Sequence, residues 1–454
     1  MGSTEYILTE EIVDEVKRLI AERDRITLAE RIDELRPADV ADLIELLDPE
    51  ERFFVFDLLE PDGAGEVLVE IEAPFQERIL SDLDNEAISE IVQELDSDDA
   101  ADLVGDLPLE RAREIIGSLQ DDVSRELEKL LPYPEDTAGG IMALEFVAVL
   151  ASATVQETID TLREKREEVE DVYYVFVVDE VGRLAGVVSL KDLVLAQPTA
   201  RVAEIMNEEV IFVHVDRDQE EVAQLFKKYD LVSIPVVDDS NRLVGRITHD
   251  DIIDVIEDEV DEDIARMAGV ISAEIADEST VRISRSRLPW LVAGLLGGIL
   301  AALVINQFEA SLEEVLALSF FFPVIMAMGG NTGTQASTVA VRGLATGDIR
   351  MVNIGKRLWL EMKVAFFNGI ICGILLGLIV GAWLSNFTLG GIVALALVLI
   401  IVISGFIGAA IPIALKRMRV DPALATGPFV TTSNDLLSLV IYLGLVTVYL
   451  QVTG

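Results

Sequence analysis

Five long apolar stretches in the second half of this 454-residue chain decide what it can fold into. They occupy about 288–308, 315–340, 358–384, 391–415 and 424–450. Each can supply the roughly 20 residues needed to cross about 30 Å of hydrocarbon. A five-span membrane region is therefore expected, with everything before Leu288 outside the bilayer.

The linkers orient it. Arg282, Arg285 and Arg287 precede the first span; Arg342, Arg350, Lys356 and Arg357 follow the second; Lys416, Arg417 and Arg419 follow the fourth. Linkers 306–314 and 385–391 contain no Lys or Arg. Positive-inside bias then places the front part in the cytoplasm and the C-terminus outside, as in a multi-pass protein of the cell (inner) membrane. The second span is the least regular, because Met328 to Thr338 reads MGGNTGTQAST. A break there is tolerable only beside a cavity or protein. Its carbonyls and amides suit a hydrated pathway, and close packing through glycine is the competing reading.

Charge divides the chain at the same place. Residues 1–280 hold 74 of the 81 acids and 24 of the 35 Lys and Arg, a formal charge of −50. Such a field repels nucleic acid and anionic lipid and attracts cations, so no nucleic-acid partner is expected. The single cysteine, Cys372, excludes a disulfide framework within the chain. Residues 1–15 are polar and acidic, unlike a secretory signal. No nucleophile–base arrangement and no Walker loop is present, and His214 and His249 lack metal-ligand spacing, so neither an enzyme nor an ATP-driven pump is expected.

Two repeats organise the acidic part. Leu35-Arg-Pro-Ala-Asp-Val-Ala-Asp-Leu-Ile is echoed 60 residues on by Leu95-Asp-Ser-Asp-Asp-Ala-Ala-Asp-Leu-Val, which suggests stacked short helices. Val175-Phe-Val-Val-Asp-Glu-Val-Gly-Arg-Leu returns 59 residues on as Ile234-Pro-Val-Val-Asp-Asp-Ser-Asn-Arg-Leu, which suggests two α/β modules paired as a pseudo-dimer. Each module ends in Gly-x-x-Ser/Thr-x-x-Asp: Gly186, Ser189 and Asp192, then Gly245, Thr248 and Asp251. These resemble CBS domains, in which hydroxyl and carboxylate often hold an adenine nucleotide. Helix capping explains the same residues without a ligand.

Acids cluster at helical spacing: Asp98, Asp99, Asp102 and Asp106 in one run, and Asp250, Asp251, Asp254, Glu257, Asp258, Asp261 and Glu262 in another. Residues three and four apart share a helix face, so each run repels itself, and a divalent cation between two such faces would turn repulsion into attraction. Inside the bilayer Asp435 stands out, roughly 16 Å into the last stretch. A central Asp costs about 2.5–3.5 kcal/mol to insert even on the lower scales, which points to a water-filled cation path.

Tyr133-Pro-Glu-Asp-Thr-Ala-Gly-Gly-Ile-Met142, Pro323 to Gln335, Val420-Asp-Pro-Ala-Leu424 and Asp435, in this order of parts, resemble the MgtE family of magnesium channels over nearly the whole chain. The resemblance implies a multidomain membrane protein: an all-α helical-repeat N domain (1–134), α/β tandem CBS domains (135–200 and 201–256), a connecting plug helix (257–284) and a five-helix transmembrane bundle (285–454). It also implies a homodimer around one pore that conducts Mg2+, with Asp435 holding the hydrated ion and Asn331 and Thr431 lining the path. Mg2+ dehydrates reluctantly, which suits a site of few carboxylates and retained waters. Intracellular Mg2+ would favour the closed channel through Glu66, Asp98, Asp102, Asp218, Glu220, Asp230, Asp251, Asp254, Glu262 and Asp421. ATP would bind near Tyr174, Ser189 and Asp192. The alternatives are a CBS-regulated transporter of another divalent cation or solute, and a membrane-tethered sensor without transport.

Overall fold

A computed structural model describes residues 8–166, 169, 172–268, 270, 280–345, 349, 354–418, 420–423 and 427–453. Arg350, Arg419 and Leu424 lie outside them, as do residue 269 and residues 271–279 of the expected connecting helix. The chain divides into two units, Met1–Ile256 and Glu257–Gly454.

Short helices open the first unit, from α1 (Glu10–Glu22) to α10 (Asp121–Leu130). Among them are α3 (Pro37–Glu45), α5 (Pro61–Glu70) and α8 (Ser97–Gly105). Their brevity is encoded locally. Proline at the first turn starts α3 and α5, where its missing N–H is no loss. Arg23, at φ 54°, ends α1 in the left-handed conformation. The 60-residue repeat buries matching positions: Val40, Ala41, Leu43 and Ile44 on α3, and Ala100, Ala101, Leu103 and Val104 on α8. Arg52, 9 % exposed, closes the end of α3 by donating to the carbonyls of Ile44 (3.1 Å) and Glu45 (3.2 Å).

Two three-stranded modules follow. The first comprises β1 (Ala148–Leu150), α11 (Val155–Glu164), β2 (Tyr174–Val178), β3 (Leu184–Ser189) and α12 (Leu190–Leu195). The second has β4 (Val213–His214), α13 (Gln219–Tyr229), β5 (Ser233–Val237) and β6 (Leu243–Thr248), leading into α14 (His249–Ala268). In each the outer strand runs parallel to the middle one and the last runs antiparallel. The copies also share their close approaches. A methyl at Gly186 would lie 2.8 Å from Met206 Sδ and 3.0 Å from the Asn207 carbonyl. At Gly245 it would lie 2.7 Å from Met142 Sδ and 2.9 Å from the Ala143 carbonyl. The paired CBS-like architecture expected from the repeat is thus present. One apolar core runs from the helical repeat into the second module, while the first module has its own, built on Val175, Val177 and Val188.

The second unit contains α15 (Thr280–Gln307), α16 (Glu309–Glu314), α17 (Phe322–Ala345), α18 (Ile354–Trp383), α19 (Phe387–Arg417) and α20 (Pro428–Thr453). Five segments are long and apolar enough to cross a membrane: Thr280–Gln307, Leu316–Ala345, Ile354–Trp383, Phe387–Arg417 and Phe429–Val452. Asn386, the first residue of a glycosylation-like sequon, instead caps α19 by accepting from Leu389 N at 3.0 Å.

One expectation is met and one changes. The helical spacing of Ile252, Ile253, Val255, Ile256, Val260, Ile264 and Met267 leads to a helix over 250–267, and α14 spans His249–Ala268, directly off β6, with α15 beginning at Thr280. The second span is not broken: α17 passes through Met328–Thr338 as continuous helix after a 3-10 turn at Leu316–Phe321. In hydrocarbon a backbone left outside a helix has no water to bond, and this constraint outweighs the weak helix propensity of Gly, Thr and Asn. Its glycines pack tightly, since a methyl at Gly408 of α19 would overlap the Gly333 carbonyl. A longer ridge of Gly369, Gly373, Gly377 and Gly381 on α18 meets α19, where a methyl at Gly377 would lie 2.7 Å from the Gly390 carbonyl.

Candidate functional site: an acidic cluster and an intramembrane carboxylate

The start of α8 and the start of α14 bring the two acidic runs together within the first unit. Asp98 is only 8 % exposed. Burial, together with Asp251, Asp99, Glu145 and Asp96 around it, pushes its carboxyl well above the usual range. Burial and then Asp251, Asp96, Asp102 and Asp254 raise Asp99 to about 7. Asp102 keeps much of its surface in water, yet the protein packed about its carboxylate, followed by Glu135, Asp106 and Asp251, raises it to about 7. Asp251 is raised by burial, although it accepts from Thr248 N (3.0 Å) and Thr248 Oγ1 (2.6 Å). Glu145, also raised by burial, is latched to the start of α8: Ser97 Oγ donates to it at 2.8 Å and receives the Leu144 N–H at 2.8 Å.

These acids cost stability while charged and unpaired, the condition that a bound cation relieves. Among the described residues no three His, Cys, Asp or Glu converge into a metal cage. Hard oxygen donors so arranged fit an ion that keeps much of its water. Sequence reasoning named Asp98, Asp99, Asp102, Asp251 and Asp254 here and missed Glu135 and Glu145 as contributors. Only tertiary packing supplies the two glutamates.

The remaining regulatory candidates sit elsewhere. Glu66 is exposed on α5. Asp218 caps α13 by accepting from Glu220 N at 3.0 Å, and Asp230 ends the same helix at φ 51°. In the second unit Arg266 donates to both Glu262 and Asp421, so a guanidinium stands between two acids that the sequence reading joined through an ion. Asp421 also accepts from Ala423 N at 2.8 Å. In the first CBS-like module Tyr174 and Ser189 are direct cross-strand partners, and Ser189 Oγ donates to Asp192 at 2.6 Å while capping α12. The three nucleotide candidates therefore lie together, with the hydroxyl and carboxylate in use as a cap.

Asp435 stands seven residues into α20, roughly 11 Å along the helix, shallower than the sequence reading placed it. It packs toward α17, where a methyl at Gly330 would lie 3.7 Å from its Oδ1 and 3.9 Å from Thr431 Cγ2. Thr431 is exposed and shares this face one turn earlier. Asn331 is on the neighbouring face of α17, where it lines a concavity of about 390 Å³ with Thr334, Gln335, Thr338 and Val339. The structure thus brings Asp435 and Thr431 together at Gly330, while Asn331 lines a concavity that includes neither of them. The polar stretch of α17 serves both readings at once, glycine on its packed face and amide and hydroxyl on its open one.

Comparison with known proteins agrees with this division. The MgtE family profile, a divalent cation transporter, matches residues 322–445, the MgtE intracellular N domain matches 35–136, and CBS domains match 138–198 and 202–258. The magnesium transporter MgtE of Thermus thermophilus is 42 % identical over 330 residues, 72 % of this chain and 73 % of that one. That of Bacillus subtilis is 38 % identical over 328 residues, 72 % and 73 % of the two chains. A crystal structure of the cytosolic domain of the Mg2+ channel MgtE in complex with ATP superposes with a TM-score of 0.51 at 40 % identity, covering 54 % of this chain and 99 % of that one. The soluble part of a magnesium transporter gives 0.50 at 32 % identity, covering 55 % and 98 %. With its helical N domain, tandem CBS modules and five membrane-length helices, the chain belongs to the MgtE family of divalent cation transporters.

Proposed function

We propose that this protein is a Mg2+-selective channel for magnesium uptake, closed by intracellular Mg2+. The observation that carries the reading is the Asp435 carboxylate, held with Thr431 against the bare backbone of Gly330 inside a membrane-length helix. A carboxylate that faces a glycine leaves room for an ion with its waters, the form in which Mg2+ binds most readily. Asn331, next in sequence to that glycine, lines a polar concavity on α17. Two copies of the chain about a two-fold axis would present two such carboxylates to one path.

Closure is assigned to the cluster of Asp98, Asp99, Asp102 and Asp251. Mutual repulsion opens it when internal Mg2+ is scarce, and a bound hydrated ion draws it shut. Asp254, Glu262, Asp421, Glu66, Asp218, Glu220 and Asp230 are the outlying acids of the same reading. The front part would be cytoplasmic, where it can sense the internal ion, and the C-terminus outside. ATP is assigned to Tyr174, Ser189 and Asp192; their adjacency and the ATP-bound relative support this, and binding would require the Ser189–Asp192 cap to be shared or released.

Mg2+ flux into proteoliposomes tests the central claim. Asp435→Asn should abolish it while the protein keeps its elution profile and melting point, and undiminished flux through that variant would refute the ion-holding role. Replacing Mg2+ by Mn2+, Co2+ or Ca2+ tests the alternative that another divalent cation is the cargo, which the family description allows.

A further inference from the structure

Beside Asp435 the chain buries a polar side chain that makes no hydrogen bond. Asn434 is fully buried, and neither its Oδ1 nor its Nδ2 meets a hydrogen-bonding partner. One turn on, Ser438 is equally buried with its hydroxyl unpartnered. Both press on glycines of α17. A methyl at Gly333 would overlap the Asn434 amide at Nδ2, and one at Gly329 would overlap Ser438 Oγ. Between these contacts Gly330 faces Asp435 and Thr431.

An amide sealed away without a partner destabilises the fold that holds it, so helix stability does not explain Asn434. Its shape does bear on position. The amide sits against Gly333, where a methyl would overlap it. Successive residues of a helix differ by about 100° in direction. Seating Asn434 on Gly333 therefore determines where Asp435 points.

We propose that Asn434 is a positioning residue for Asp435: its amide, keyed to Gly333, sets the rotation of α20 that holds the carboxylate opposite Gly330. The proposal rests on the reading of Asp435 as the ion-holding group.

The test uses the full-length protein in proteoliposomes, measuring uptake of Mg2+ and Ca2+ separately, with folding checked by melting and elution profile. Gly333→Ala should displace the amide, cut Mg2+ flux by about tenfold and alter the Mg2+ to Ca2+ ratio. Adding Asn434→Ala vacates the space and should restore most of the flux, a coupling that independent sites do not show. A folded double variant no more active than Gly333→Ala overturns the proposal, as does an unchanged ion ratio in Gly333→Ala. Should Gly333→Ala fail to fold, Asn434→Gln serves instead: one methylene too long for the seat, it should show the same loss and altered ratio, and normal behaviour overturns the proposal. Asp435→Asn in parallel separates the two readings. Normal flux there removes the ion-holding role, whereas loss there beside normal flux in Asn434→Gln removes only the positioning role.

Discussion

Replacing Asp99 by Asn should stabilise the first unit at alkaline pH, against the usual expectation for a change at a half-buried position. The Asp99 carboxyl is raised from 3.8 to about 7, first by burial and then by Asp251, Asp96, Asp102 and Asp254. The folded state therefore holds this proton more tightly than the unfolded chain, and stability falls as pH rises from about 4 through 7. Three decades of proton affinity correspond to about 4 kcal/mol. Screening by water on the partly open side reduces the expected gain for Asp99→Asn to about 2–4 kcal/mol at pH 8. At pH 4, where the carboxyl is already neutral when folded, the gain should be close to zero. Saturating Mg2+ should remove most of it at pH 8 as well, because the ion supplies the missing positive charge. Pulse proteolysis of the full-length protein in graded urea, following the fragment that contains residues 1–256, measures all three conditions. An equal gain at both pH values, or a loss at pH 8, would sink the electrostatic account of the cluster.

Three further outcomes follow from the same structure. Ser97→Ala removes the hydroxyl from Glu145 and from Leu144 N, and should cost about 1.5–3 kcal/mol in the same urea experiment at pH 8. Gly377→Val places branched carbons where the Gly390 carbonyl lies 2.7 Å from the first of them; it should cost at least about 3 kcal/mol, seen as a lower melting temperature in detergent. Added Mg2+ should slow cleavage of residues 1–256 in the native protein, with half the effect lost in Asp98→Asn.

Much of this architecture was legible before any coordinates. Apolar length alone marked five spans, because nothing but a helix of about 20 residues crosses lipid unaided. The 59-residue repeat announced the paired modules because each must bury the same strand faces. What escaped the sequence was whatever depends on neighbours. The run MGGNTGTQAST looks like a break on propensity, and the α19 and α20 side chains that seat on its Gly329 and Gly333 are visible only in the tertiary structure. The acidic runs on α8 and α14 were visible as runs, but their meeting was not. Glu145 joins them through Ser97, a contact 48 residues apart along the chain. Arg266, a lone cation among many acids, gave no sign that it would stand between Glu262 and Asp421.

The glycine ridge of α18 has a consequence for where movement can occur. Its contact with α19 is made by backbone and by apolar side chains such as Val398, Ala394 and Phe387, with no titratable side chain among the nearest neighbours of these glycines. A change of pH or of ion concentration therefore has no group to act on in that joint. Against α17, by contrast, α20 presents Asn434, Asp435 and Ser438, side chains that can exchange partners. Movement within the membrane unit is expected at that seam, and a probe placed on α20 should report it while one placed between α18 and α19 stays silent.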